Sequence, residues 1–260
     1  MYALENLKES ERLDYQNTQK QYRVKEELRF LSDFDFKQVL DAGCGSGAVT
    51  KSLLDAHPYI EVSAFDQSEV RIAQAKGSLP GSYRKKVRFS HGDLNELPFT
   101  DASFDLVICR FAYEYLESPE KVTQEFHRVL KPGGVAYLID LDGLHLNTWT
   151  ANTELNDLIK ELNRHLSVDL CVGRKLRSFL FTSQFKSIRS VIDTQIFQSK
   201  DDIDMEHKNN EQRFHFARKT LEAALGSTEQ AEKFERLYLN EMSSEGTEIF
   251  FNKFITWGIK

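Results

Sequence analysis

The sequence predicts an α/β chain built on a parallel sheet, on three observations. Short apolar runs (QVLDA, YIEVSAF, KVRFS, FDLVICR, GGVAYLIDL) alternate with helical stretches of about 10–15 residues, the rhythm of βαβ units. Three glycines, Gly43, Gly45 and Gly47, crowd behind the first run in VLDAGCGSGAVT, where something must approach the backbone closely. The 260 residues, 40% of them hydrophobic, suffice for one substantial core.

The elements follow in order. The first thirty residues are charged and free of glycine and proline. Leu4, Leu7, Leu13, Val24, Leu28 and Leu31 fall at irregular helical spacing, so one or two helices are expected. Arg12, Tyr15, Gln16, Gln19 and Tyr22 would share one broad face, for which solvent exposure is the ordinary reading. Within the alternating region Ser68 predicts a helix start before EVRIAQAKG. Ser118-Pro119-Glu120 supplies a cap, a proline at the first helical position and an acid near the positive helix end. Past Leu141 the rhythm changes. Helices are expected over 152–166, 173–182, 206–225 and 227–242. Gly226 would close the third, and Ser227 with Gln230 would open the fourth as a capping box. FKSIRSVIDTQ and EIFFNKFITWG read as strands. There is no internal repeat, low-complexity tract or Pro-rich linker.

Composition narrows the partners. A net charge of -6 and a pI near 5.7 make a phosphate backbone a poor default ligand, so no nucleic acid is expected. The basic run RKKVR is read as a solvated loop leading into a strand. Cys44, Cys109 and Cys171 lie far apart, without a CxxC pair or a Cys/His cluster, so no metal site is expected. The cysteine pattern suits a reducing compartment, and no apolar run approaches membrane-spanning length. A cytoplasmic protein that does not engage membranes is the expectation. A homodimer is left open.

The glycine loop alone is ambiguous. Gly43-x-Gly45-x-x-Ala48 satisfies the loose dinucleotide fingerprint, and Asp66 stands where an acid would bind a ribose diol, so a nicotinamide dehydrogenase remains an alternative at this point. Further motifs separate the readings. Asp41-x-Gly43-x-Gly45-x-Gly47 resembles the first motif of class I S-adenosylmethionine-dependent methyltransferases. Phe65-Asp66-Gln67-Ser68 resembles their second, and Gly92-Asp93-Leu94 with Leu97-Pro98-Phe99 their third. Ser103-Phe104-Asp105-Leu106-Val107 is similar to their fourth strand. Leu130-Lys131-Pro132-Gly133-Gly134 is similar to the turn before their fifth. The motifs stand in family order over 39–140, closest to the small-molecule branch (methyltransferase type 11/12-like).

The resemblance implies a Rossmann-like sheet of seven mainly parallel strands, with helices on both faces. The antiparallel last strand, EIFFNKFITWG, would lie between strand five and FKSIRSVIDTQ. It implies one methyltransferase domain with a helical lid over 1–34, a cofactor core over 35–142 and acceptor-side elements over 143–260. The cofactor would be S-adenosyl-L-methionine. Asp41, Gly43, Gly45, Gly47, Asp66, Gln67, Asp93 and Leu94 would bind it: the glycine loop would meet the methionine part, Asp66 the ribose hydroxyls, and Asp93 with the Leu94 amide the adenine. Arg110 and Tyr15 would reach the methionine end. Turn and cap roles stand beside binding for Asp66 and Asp93. Plain packing of Phe111 and Tyr115, with Arg110 and Glu114 solvated, stands beside an active-site role for 110–115. Cys44 and Cys109 are read as packing residues. No base is evident, and Tyr113, Tyr115 and His145 are the catalytic candidates. The acceptor would be a small molecule, since the chain lacks the Pro-Pro-Tyr type tetrapeptide that follows strand four in enzymes methylating base or glutamine nitrogens. A catalytically silent S-adenosylmethionine-binding module is the rival from another class.

Overall fold

The computed structural model describes residues 15–16 and 19–260. A mixed sheet runs in the order β3-β2-β1-β4-β5-β8, with β7 on the far side of β8. The strands are β1 (Gln38–Ala42), β2 (Glu61–Asp66), β3 (Val87–His91), β4 (Phe104–Arg110), β5 (Leu130–Asp142), β6 (Thr148–Trp149), β7 (Lys186–Ile196) and β8 (Glu248–Ile259). The first five pair in parallel, and β8 is antiparallel to both β5 and β7. EIFFNKFITWG therefore lies between strand five and FKSIRSVIDTQ, as the resemblance implied. Beyond the seven expected strands, the short β6 pairs with the start of β8.

β1 and β4 are buried along nearly their whole length because both sheet faces are covered. One face, with Leu40, Phe65, Val107, Cys109 and Leu138, packs under α4 (Pro119–Val129) and α6 (Leu176–Thr182). The other, with Val39, Val62, Ile108, Tyr137 and Ile139, packs under α2 (Ala48–Ala56) and the segment from Val24 to Leu31. A third cluster joins Tyr22, Leu141 and Phe251 to α5 (Thr153–His165), α7 (Lys200–Leu225) and α8 (Thr228–Met242).

The expected caps are largely present. Ser68 accepts from the Arg71 amide at the start of α3 (Glu69–Ser78) and Ser227 from Gln230, while Asn152, not read as a cap from the sequence, accepts from Leu155. Gly226 is left-handed at φ +82°. Other details differ. Pro119 opens α4, but Ser118 gives it no side-chain bond. α7 begins at Lys200 rather than 206, because Ser199 caps the Asp202 amide. LKPGG is a bulged part of β5: Phe104 pairs with Leu130, and Leu106 with Val135.

The N-terminal region departs furthest from expectation. Arg12, Leu4, Leu7 and Leu13 lie outside the described residues. After Gln19 the chain forms two 3₁₀ turns, Lys20–Tyr22 and Arg29–Asp33, around the single-turn helix α1 (Val24–Glu27). Tertiary bonds override helical propensity here. The Arg110 guanidinium holds the Tyr22 carbonyl at 3.0 Å, and the Tyr137 hydroxyl donates to the Glu27 carbonyl at 2.6 Å. Gln16, Gln19 and Tyr22 are buried, so an exposed polar face is not what this segment presents.

Candidate functional site

Strand order reverses between β1 and β4. β2 and β3 continue on one side and β5 on the other, and ligands of open α/β sheets bind at the carboxyl ends of the strands flanking such a point. The glycine loop follows β1 there, and residues 110–115 follow β4. The two segments touch: a Cβ at Gly43 would come within 3.2 Å of the Ala112 Cβ.

Gly43, Gly45 and Gly47 all adopt positive φ (+78°, +51° and +88°), a conformation open at little cost only to glycine. Their surroundings differ. A Cβ at Gly47 would press on Ala75 at 3.1 Å, so this glycine serves packing against α3. A Cβ at Gly45 would meet nothing within 4 Å. The open side of the loop is at Gly45, next to the N-terminus of α2, whose amides favour polar and anionic ligand groups.

Asp66 ends β2 beside that opening. Its Oδ2 accepts from the Gly45 amide at 2.8 Å and its Oδ1 from the Ser68 amide at 2.9 Å. A carboxylate has about four acceptor sites, so capacity for a diol remains. Gln67, next along, is exposed, and its carbonyl meets His91 Nε2 at 2.9 Å. Asp93 is exposed and forms an Asx turn, accepting from the Asn95 backbone and side-chain amides, both at 2.8 Å. Leu94 points its side chain into the core. Gly92 is required by packing, since a Cβ there would lie 2.8 Å from the Phe65 ring.

Several candidate residues hold other positions than expected. Asp41 lies under the loop, fully buried, and accepts from the Thr50 hydroxyl at 2.5 Å, which ties β1 to α2. Burial pushes its carboxyl up to about 7. It supports the loop from below rather than lining its open side. Tyr113, a catalytic candidate by sequence, lies in the core. Its ring stacks on Phe179 inside the core and its hydroxyl bonds Thr123 at 2.8 Å, which leaves it no ligand to touch. His145 is buried between Phe214 and Tyr238, with centroids at 5.0 and 5.3 Å, inside the helical layer rather than on a pocket rim. Tyr115 is half-buried in the turn after β4. Tyr15 is half-buried, with Lys208 over its ring at 5.0 Å.

Arg110 is neither solvated nor aimed openly at a ligand. Its Nε donates to Glu27 Oε2 at 2.5 Å, and its guanidinium stacks on Phe111 at 3.9 Å. Glu27 is fully buried and also takes Lys253 Nζ at 3.1 Å, while Lys253 reaches Asp193 at 3.2 Å. This cluster fixes the N-terminal segment against β4, β7 and β8. Glu114 is buried too.

Sequence reasoning passed over Asp140, which organises the loop after β4. Its buried carboxylate accepts from the Tyr113 amide at 2.9 Å and the Leu141 amide at 2.8 Å, beside the left-handed Phe111 at φ +54°. Burial raises its carboxyl to about 7 although these amides oppose the shift. The available signal was an acid inside an apolar strand, YLIDLD, which must find buried partners. Lys253 in FFNKFITW carries the same signal.

Two open grooves lie among other residues than those of this cleft. One lies between α5 and α8 at Glu154, Asp157 and Lys233, and one between α7 and α8 at His215, Arg218 and Glu232. The glycine-loop cleft is preferred as the site because backbone strain, open space and an acid converge there. No group of three metal-ligating side chains occurs among the described residues, and no described helix is long and apolar enough to cross a membrane.

Residues 40–138 match the family described as "Methyltransferase domain". The matched span holds the glycine loop, Asp66, Asp93 and Arg110. Over residues 40–138 the chain is thus similar to methyltransferases in both sequence and fold. Relatives agree: over 103 residues the chain is 34% identical to the demethylmenaquinone methyltransferase of Chlamydia pneumoniae, covering 40% of this chain and 44% of that protein. Over 100 residues it is 34% identical to the malonyl-[acyl-carrier protein] O-methyltransferase of Enterobacter lignolyticus (strain SCF1), covering 38% and 37%. The chain thus spans less than half of either relative, and the two act on different acceptors at equal identity. The crystal structure of a putative methyltransferase from Bacillus halodurans C-125 matches with a TM-score of 0.59 at 22% identity, over 92% of this chain and 98% of that one. At that identity the likeness establishes the fold of the methyltransferase core and its flanking helices. The family match favours the methyltransferase reading of the glycine loop over the dinucleotide one.

Proposed function

We propose that the chain is an S-adenosyl-L-methionine-dependent methyltransferase acting on a small-molecule acceptor. One observation carries the reading: three left-handed glycines, open at Gly45, face Asp66 within the span that matches the methyltransferase family. The residues fit the cofactor. The loop and the α2 N-terminus receive the methionine part, Asp66 the ribose hydroxyls beside Gln67, and Asp93 with the Leu94 amide the adenine. Tyr15 and Tyr115 border the methionine end, and Arg110 sets the shape of that end through Glu27. Asp41 and Asp140 hold the loops that form the cleft.

S-Adenosylmethionine supplies a methyl carbon already activated by positive sulfur. Bound in the cleft, it would donate that methyl group in line to an acceptor's electron pair. The chain's task is to align donor and acceptor and to exclude water. A base is needed only where the acceptor must lose a proton to attack. The burial of Tyr113 and His145 favours acceptors that need none, or that lose their proton to solvent. The same burial supports a second reading, a cofactor-binding module without catalysis. The acceptor pocket is assigned to residues 143–260 with the N-terminal segment, and a cytoplasmic setting fits the cysteine pattern.

Methyl-labelled S-adenosylmethionine incubated with the protein and a fractionated cell extract tests this. Label is expected in the small-molecule fraction. Label only in protein or nucleic acid would overturn the acceptor class, and tight cofactor binding without transfer to any fraction would favour the second reading.

A further inference from the structure

β7 is an eleven-residue edge strand. One side pairs with β8, and among the described residues no strand pairs with the other. Such an edge is a template for another strand. We infer that β7 pairs with β7 of a second copy of this chain, antiparallel about a two-fold axis at Val191, joining the two sheets into one.

Three observations select this occupant. The strand's side chains are self-complementary about its central residue. Arg189 and Asp193 flank Val191 symmetrically, so the two-fold sets each Arg189 opposite the partner copy's Asp193. Arg189 is exposed and makes no ion pair among the described residues. Asp193 uses Oδ2 for Lys253, which leaves Oδ1 for an incoming guanidinium. Second, other registers are penalised. Slipping the strands by four residues sets Arg189 against Arg189 in one direction and Asp193 against Asp193 in the other, and like charges directly opposed are unfavourable. A one-residue slip turns each side chain to the wrong face. A two-residue slip keeps the faces but leaves both Arg189–Asp193 pairs unmade, so the charges favour the register centred on Val191, in which the regular strand on either side of the axis, 189–193, pairs with itself and the bulge between Lys186 and Arg189 lies outside it. Third, Ile192 and Ile196 are 55% and 42% exposed. In this register Ile192 lies diagonal to its own copy across the axis, within reach of contact, so apolar surface is buried with the backbone pairing. A symmetric interface of one patch on itself is the ordinary geometry of a homodimer.

Light scattering coupled to gel filtration, with sedimentation equilibrium, tests the inference on the full chain. The wild type is expected to be a dimer that weakens with added salt. Arg189→Asp opposes four carboxylates at the interface and is expected to raise the dissociation constant at least about tenfold. Asp193→Arg opposes four cations and should do the same. Mixing the two variants restores both opposite-charge pairs, so the mixture is expected to regain a dimer that neither forms alone, which loss of folding could not produce. A monomeric wild type, a dimer indifferent to Arg189→Asp, or a mixture that stays monomeric would each overturn the proposal.

Discussion

Asp41 and Asp140 are carboxyl groups that burial raises to about 7. An unfolded aspartate loses its proton near pH ~4, whereas the native groups keep theirs to about pH 7. Between those values the folded state binds more protons, so stability is fully present below the lower pH and falls as pH rises through the upper. Asp41→Asn keeps an acceptor for Thr50 and removes one of these charges. Urea unfolding at pH 5 and pH 8 should show the variant losing less stability than the wild type, by on the order of 2 kcal/mol. Equal losses would mean that the Asp41 charge is tolerated. At the buried ion cluster, Glu27→Gln leaves Arg110 and Lys253 without their shared anion. Equilibrium unfolding is expected to show a loss of about 3 kcal/mol. A cost below about 0.5 kcal/mol would place this cluster with surface pairs. Neither role was legible beforehand. Glu27 lies in the ordinary helical stretch KEEL, and only the fold brings Arg110 and Lys253 to it.

At the scale of the element, the glycine loop separates packing from ligand access. Gly47→Ala must adopt a left-handed φ and also displaces Ala75, while Gly45→Ala bears the first cost alone. Thermal unfolding should show Gly47→Ala as the less stable, by about 1 kcal/mol or more. Binding measurements should show Gly45→Ala with the larger loss of cofactor affinity per unit of stability lost, because its methyl group enters the open side. If the affinity loss merely followed stability in both variants, Gly45 would not face the ligand. Elements of this kind were the legible part of the molecule. The strands QVLDA, FDLVICR and EIFFNKFITWG, the Ser68 and Ser227 caps and the Gly226 terminator announce themselves through local chemistry. The N-terminal segment did not, because its turns are set by bonds to Arg110 and Tyr137 rather than by its own propensities. Tyr113 misled for a related reason. The position after β4 suggests an active-site side chain, but the Asp140 carboxylate gathers the loop so that this ring turns into the core.

Across the whole molecule, the sheet order and its reversal point place the cleft, and two layers of helices and a flanking helical cluster stabilise it. A ligand that binds only the folded chain stabilises all of it. At about one hundred times its dissociation constant the gain is about 2.7 kcal/mol. For a chain of 260 residues this corresponds to a rise in melting temperature of about 5 °C. The same excess of NADH is expected to leave the transition unmoved. The acceptor was not legible at any scale, since the matched relatives share this core while their names give different acceptors, and residues 143–260, to which the acceptor pocket is assigned by proposal, lie outside the family match.

Calorimetric titration with S-adenosylmethionine and S-adenosylhomocysteine, on the wild type and on Asp66→Ala, bears most directly on the central claim. The expected result is micromolar binding of both ligands by the wild type, weakened at least about a hundredfold in the variant, since under the proposal Asp66 would receive the ribose hydroxyls and its removal would cost two charge-assisted hydrogen bonds. Failure of the folded wild type to bind either ligand, or equal binding by Asp66→Ala, would contradict it.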